Sequence, residues 1–192
     1  MHECKASNTP MVASTKLTSF CGTLVPNITE YRSVVGALQY VTLTRPEIAY
    51  SINKVCQFLA KPTTNHLSTV KRILRYLKST IDHGLLIRPT KSFSLETFSD
   101  ADWAGCTEDH RSHGGFCIYL GSNLVSWSSR KQQIVSWSIT KSEYKSIAIA
   151  VAEISWVQML LTELGFSSSS PPTLWCDNLG ATYLSANLVS HA

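Results

Sequence analysis

Ser99-Asp100-Ala101-Asp102-Trp103-Ala104-Gly105 is the stretch whose reading decides the fold. It follows Phe93-Ser94-Leu95-Glu96-Thr97-Phe98, whose apolar–polar alternation predicts a strand. The strand delivers two carboxylates, and the chain turns away through small residues. Mg²⁺ takes hard oxygen ligands and keeps several waters, so carboxylates beside open space suit it. One such motif is weak by itself, and the question is whether other carboxylates reach the same place.

Working outward, the C-terminal half predicts a mixed α/β sheet. Strands are expected at 93–99, Gly115–Leu120 and Leu124–Ser128, with a hairpin turn at Gly121-Ser122-Asn123. Gln133–Trp137 is a further strand candidate. A long helix is expected from about Lys141 to Leu164, closed by Gly165. Thr173-Leu174-Trp175-Cys176 reads as a strand leading through Asp177 into a last helix near 179–184.

Three acidic residues then share a setting. Asp100 ends the first strand, Glu143 lies in the first turn of the long helix, and Asp177 ends a strand and opens a helix. Ligands of α/β sheets gather at strand ends, and three or four carboxylates can hold two divalent ions for in-line phosphoryl displacement. Each residue also has a purely local use. Thr140-Lys141-Ser142-Glu143 matches a capping box, Asp177 suits a helix N-cap, and Asp100 and Asp102 suit a turn. Local pattern leaves both uses open. The grouping Cys106, Asp109, His110 and His113 matches no structural-zinc spacing and reads as a loop with incidental histidines.

The N-terminal half reads as helical. A polar lead-in over 1–29 precedes a helix from Thr29-Glu30 that breaks at Arg45-Pro46. Pro46 opens a second helix carrying Ile48, Ile52, Val55, Cys56 and Leu59 at helical spacing. A third helix follows Thr63-Thr64-Asn65, with Leu67, Val70, Ile73, Leu74 and Leu77 on one face. Lys71, Arg72, Arg75 and Lys78 fall largely on the other. His83–Ile87 reads as a strand, and Pro89-Thr90-Lys91-Ser92 as a boundary between a 1–90 segment and a 91–192 domain.

The charge is divided the same way. Residues 1–90 hold eleven Lys/Arg against four Asp/Glu, and residues 91–192 six against nine. A basic half beside an acidic half fits a nucleic-acid-holding part next to a metal-carboxylate part. The six scattered cysteines, without a C-x-x-C, predict reduced thiols and an intracellular setting, cytoplasmic or nuclear. The N-terminus lacks the apolar core of a signal peptide, so secretion is not expected. No apolar run reads as long enough to cross a bilayer, so no membrane partner is expected. Without a phosphate-cradling Gly-rich loop, no small-molecule cofactor is expected either.

Several runs resemble a known family. SDADWAG, LVSWSSRKQQ, SEYKSIA and LWCDNLGATYLSAN are similar to the ribonuclease H domain of copia-type LTR retrotransposon Pol polyproteins. YRSVVGALQYVTLTRPEIAYSINKVCQF and VKRILRYLKSTIDHGLLIRP resemble the end of the preceding reverse transcriptase region. The resemblance covers nearly the whole chain, with the motifs in order. It implies a ribonuclease H-like α/β fold for 91–192, truncated at its C-terminus, and a helical connection or thumb-like segment over 1–90.

The implied reaction is hydrolysis of the RNA strand of an RNA–DNA hybrid, dependent on Mg²⁺ or Mn²⁺. Asp100, Glu143 and Asp177 are the implied catalytic metal ligands, and Asp102 is in the motif but not on the metals. Lys71, Arg72, Arg75 and Lys78 would face a hybrid or template–primer duplex, with the rest of the polyprotein as a further partner. The family carries a fourth acidic ligand in a segment that follows NLVSHA, so impaired catalysis is an expectation too. The alternative is an inactive remnant that keeps the fold and at most binds nucleic acid.

Overall fold

The computed structural model describes residues 4–13, 15–166 and 170–187. The chain divides into two compact units at Leu85/Leu86.

The first unit is helical. Asn27 caps α1 (Ile28–Val41), its side chain accepting from the Glu30 amide at 3.0 Å. Pro46 opens a 3₁₀ turn, Pro46–Ile48, that feeds α2 (Ala49–Cys56). Pro46 lacks the N–H that a first turn leaves unpaired, so the turn costs it nothing. α3 (Thr64–Ser79) begins on a capping box in which His66 Nδ1 accepts from the Thr63 amide at 2.9 Å. Tyr31, Val35, Leu38, Ile48, Ile52, Val55, Val70 and Ile73 form one buried cluster. Tyr31 also donates its hydroxyl to the Val55 carbonyl at 3.0 Å, so its polar end is satisfied inside the core.

Arg45 locks this bundle. Its guanidinium is buried, donates to the Thr80 carbonyl at 2.9 Å and the Thr80 hydroxyl at 2.7 Å, and lies 5.7 Å over the Tyr76 ring. It also pairs with Glu47. One side chain thus ties the α1–α2 turn to the end of α3. The expected strand at His83–Ile87 does not form. Leu86 and Ile87 are exposed and the segment pairs with no strand; the apolar run has no partner to complete a ladder.

The second unit is an α/β sheet of ribonuclease H-like form. Its strands are β1 (Leu95–Asp102), β2 (His113–Leu120), β3 (Asn123–Lys131) and β4 (Thr173–Trp175), in the order β3-β2-β1-β4. β1–β2 and β2–β3 pair antiparallel, and β1–β4 pair parallel. β1 alternates strictly, burying Leu95, Thr97, Ser99 and Ala101 and exposing Glu96, Phe98, Asp100 and Asp102. α4 (Ile139–Glu163) lies against β1 and β2, and α5 (Leu179–Ala186) against α4. Leu95, Phe116, Ile118, Ala150, Ile154 and Val157 form the core between sheet and helix. α4 stops at Gly165, and the Phe166 amide returns to the Leu161 carbonyl at 2.8 Å.

Two expectations fail here. Gln133–Trp137 is an irregular segment, not a strand. β3 extends to Lys131 instead, and Ile134 and Trp137 are 69% and 91% exposed. The segment's anchor is polar: Trp103 Nε1 donates to the Ser136 carbonyl at 3.0 Å. The reading that no apolar run could cross a bilayer also fails for α4, which is long and apolar enough by length and composition. Its apolar positions, however, include the core residues that pack on the sheet.

Replacing Arg45 by Met is expected to lower the stability of the helical unit by about 1–3 kcal/mol, since it strips hydrogen bonds from half-buried Thr80 acceptors. Chemical denaturation followed by circular dichroism checks this. Arg45→Lys is expected to recover little, because a point ammonium cannot make the forked contact to Thr80 and cover Tyr76 together.

Candidate metal centre

β1 carries Asp100 on its exposed side and Ala101 on its buried side. α4 crosses beneath, and Glu143, one turn into it, points back at the strand. The Ala101 amide donates to Glu143 Oε1 at 3.1 Å. Glu143 is 4% exposed, and its second oxygen, Oε2, is buried without a hydrogen-bond partner. β4 runs parallel to β1 through Glu96–Thr173, Thr97–Leu174 and Phe98–Trp175, so the chain leaving β4 emerges at the same sheet end. There Cys176 Sγ, an Asp177 oxygen and a Glu143 oxygen all lie within 4.8 Å of one another.

The charges are close enough to feel each other. Burial, helped by the negative charges of Asp100 and Asp177, pushes the Glu143 carboxyl up from its ordinary 4.5 to about 7, against the lowering effect of the Ala101 amide. Burial likewise raises the Cys176 thiol, with Glu143, Asp177 and Asp100 adding to the effect. The structure therefore brings all three sequence-identified carboxylates to one neighbourhood.

Their local uses are taken by neighbours. The N-cap of α4 is Ser138, whose hydroxyl accepts from the Lys141 amide at 3.2 Å, so Glu143 is not the partner in a Thr140 capping box. The N-cap of α5 is Asn178, accepting from the Ala181 amide at 2.9 Å, so Asp177 is not the cap. Asp100 lies within β1, opposite Gly115, and not in a turn. Asp102 turns elsewhere: a Cβ on Gly105 would sit 1.9 Å from Asp102 Oδ2, so its carboxylate occupies the space over that glycine.

Gly180 brings the far side of the site in. A Cβ there would lie 3.0 Å from Thr140 Oγ1, so the start of α5 approaches the first turn of α4 with little room to spare.

The residues fit a hard divalent cation. Exposed Asp100 and Asp177 flank a buried carboxylate that has an unsatisfied oxygen and a raised proton affinity, and a cation between them would relieve both. The loop grouping of Cys106 and Asp109 behaves differently. Lys131 Nζ donates to Cys106 Sγ at 3.1 Å and pairs with Asp109 at 2.8 Å, so an ammonium already occupies that position.

The basic face of α3 is partly committed. Lys71 and Lys78 are exposed, Arg75 is half-buried, and Arg72 donates to the Thr9 carbonyl at 3.2 Å and the Thr9 hydroxyl at 2.7 Å. A second basic surface was not visible in the sequence. A groove of about 660 Å³ runs between β2–β3 and α4, lined among others by Arg130, Lys131, Lys145 and Gln132. Its cations come from separate elements, so no local charge run announced it. Cys176 was also missed, although its position directly before Asp177 was the available signal.

A helical unit followed by a ribonuclease H-like α/β unit with clustered carboxylates defines the class. The chain is 48% identical over 184 residues to the retrovirus-related Pol polyprotein from transposon RE2 of Arabidopsis thaliana, covering 96% of this chain and 13% of that protein. It is 47% identical over 188 residues to the corresponding polyprotein from transposon RE1 of the same plant, covering 98% and 13%. It is 33% identical to the polyprotein from transposon TNT 1-94 of Nicotiana tabacum, covering 100% and 15%. The chain belongs to this family of copia-type transposon Pol polyproteins and spans roughly an eighth of the length of these relatives. No protein-family model matches it, and no solved structure matches it.

Glu143 gives the site a pH signature. Its folded-state pKa lies above its ordinary value, so the folded chain holds the proton more tightly than the unfolded chain. That stabilisation is fully present below about pH 4.5 and is lost as pH rises to about 7. Without divalent ions, Glu143→Gln is expected to remove this falling limb and to exceed the parent in stability by about 2–4 kcal/mol at pH 8. Melting curves of both proteins between pH 5 and pH 8 in chelator check it.

Proposed function

We propose that the C-terminal unit is the ribonuclease H domain of a retrotransposon Pol polyprotein. It hydrolyses the RNA strand of RNA–DNA hybrids during reverse transcription of the element, in an intracellular setting. The observation that carries this reading is the gathering of Glu143 and Asp177 oxygens within 4.8 Å at one sheet end, with Asp100 near enough for its charge to raise the Glu143 carboxyl. Glu143 Oε2 is left without a partner there, and the capping duties fall to Ser138 and Asn178.

Asp100, Glu143 and Asp177 would hold Mg²⁺ or Mn²⁺. Such ions, when bound, activate a water and stabilise the leaving oxygen of an in-line phosphodiester displacement. The chain's own contribution is placement. The Ala101 amide fixes one Glu143 oxygen, which leaves the other aimed at the site. The parallel pairing of β4 with β1 sets Asp177 beside it. Arg130 and Lys145 line a groove able to follow a phosphodiester backbone, and a hybrid is read by shape, backbone and 2′-OH, not by base sequence. Lys71, Arg75 and Lys78 on α3 would add salt-sensitive phosphate contacts.

The purified chain is expected to cleave RNA in a hybrid with Mg²⁺ or Mn²⁺, and Asp100→Asn to lower the rate by at least about 100-fold while hybrid binding persists. Binding without turnover by the parent chain in either metal would favour the inactive-remnant reading instead. Reversing Lys71, Arg75 and Lys78 to Glu is expected to weaken hybrid binding uniformly across sequences and to flatten its salt dependence by about one unit per lost phosphate contact. Fluorescence anisotropy over a salt series measures this.

A further inference from the structure

Cys176 is the part of the site that ribonuclease chemistry does not use. Its sulfur lies within 4.8 Å of both the Glu143 and Asp177 oxygens. Its one hydrogen bond is a long donation to the Asn178 carbonyl at 3.9 Å, which a metal–sulfur bond easily replaces. The position is held from both sides. β4 pairs with β1 through Trp175, and Asn178 caps α5 immediately after. Glu143, 4% exposed, supplies an oxygen without a hydrogen-bond partner.

We infer that Cys176, Glu143 and Asp177 form a thiophilic-cation site that takes Zn²⁺ in preference to Mg²⁺. This rests on the reading of the same carboxylates as a divalent-ion site, and makes Zn²⁺ a competitive inhibitor of it. The donor set decides the preference. Mg²⁺ demands near-octahedral oxygen ligation and gains nothing from sulfur. Zn²⁺ accepts four ligands of mixed type, with sulfur at about 2.3 Å and oxygen at about 2.0–2.2 Å, so side-chain rotations that close the triangle satisfy it. Zn²⁺ also exceeds Mn²⁺ in intrinsic affinity for a given donor set. On binding, the thiol releases its proton to solvent as the zinc–sulfur bond forms, and no oxidation occurs. Water fills the fourth position, and two carboxylates leave the ion–thiolate unit without an excess positive charge. Cys106, which unlike half-buried Cys176 is buried, is unsuited, because the Lys131 ammonium at 3.1 Å repels a cation.

The full chain, reduced and stripped of metal, tests this with Cd²⁺ as a spectroscopic stand-in for Zn²⁺. Cd²⁺ is expected to produce an ultraviolet thiolate-to-metal charge-transfer band that saturates at one equivalent. The band disappears in Cys176→Ser and Cys176→Ala, weakens in Glu143→Gln and persists in Cys106→Ser. Zn²⁺ is expected to release protein-bound Mn²⁺, read by the electron paramagnetic resonance of the free ion. It should do so at about 100-fold lower concentration than Mg²⁺ in the parent, an advantage that falls at least about tenfold in Cys176→Ser. An undiminished Cd²⁺ band in both Cys176 variants, with native circular dichroism, overturns the inference, as does equal Zn²⁺ competition in parent and variant. Failure of Mn²⁺ to bind while the Cd²⁺ band forms supports the thiol site and removes the divalent-ion reading of the carboxylates.

Discussion

The site depends on one buried hydrogen bond, from the Ala101 amide to Glu143 Oε1 at 3.1 Å. It joins the central strand to the long helix at the end of the sheet where the carboxylates gather. It also divides the work of one side chain, since one oxygen is spent on structure and the other is left buried without a partner. Burial makes the carboxylate resist ionisation and outweighs the opposing effect of the Ala101 amide, so the Glu143 carboxyl is pushed up to about 7. A cation at the open oxygen offsets that cost. The local destabilisation and the affinity for a divalent ion have the same origin.

The surrounding architecture serves that geometry. Strict alternation in β1 sends Ala101 inward and Asp100 outward, so adjacent residues give the clasp and an exposed carboxylate. Parallel pairing of β4 to β1 is needed for Asp177 to emerge at the same end, and parallel pairing requires a crossover. α4 is that crossover and also carries Glu143. Caps and clustered carboxylates are separate residues, Ser138 near Glu143 and Asn178 beside Asp177, so neither helix start takes up a carboxylate.

Much of this was legible in the sequence, for physical reasons that also set the limits. The alternation of 95–102, the helical spacing of 28–79 and the turn at Gly121 are local, and local pattern reports them well. What failed was tertiary in cause. Gln133–Trp137 and His83–Ile87 have strand-like composition, yet a strand exists only where a neighbour supplies hydrogen bonds. Only part of the apolar length of α4 packs under the sheet, and composition alone does not separate such a helix from a membrane span. At Glu143 and Asp177 the local and functional uses were equally good by pattern, and the positions of Ser138 and Asn178 remove the capping use. Cys176 stood in plain view beside Asp177, but its nearness to Glu143 is tertiary, and the cations of the Arg130–Lys145 groove come from separate elements with no local charge run.

If Asp100, Glu143 and Asp177 share one divalent-ion site, a paramagnetic ion bound there relaxes nuclei on all three elements. Paramagnetic broadening by substoichiometric Mn²⁺ in amide-resolved nuclear magnetic resonance tests it without requiring turnover. A shared site gives simultaneous loss of the amide signals of Asp100, Ala101, Glu143, Asp177 and Asn178, reversed by chelator and absent in Asp100→Asn/Asp177→Asn. Broadening confined to the Asp109 loop, or none at these five amides, would contradict it.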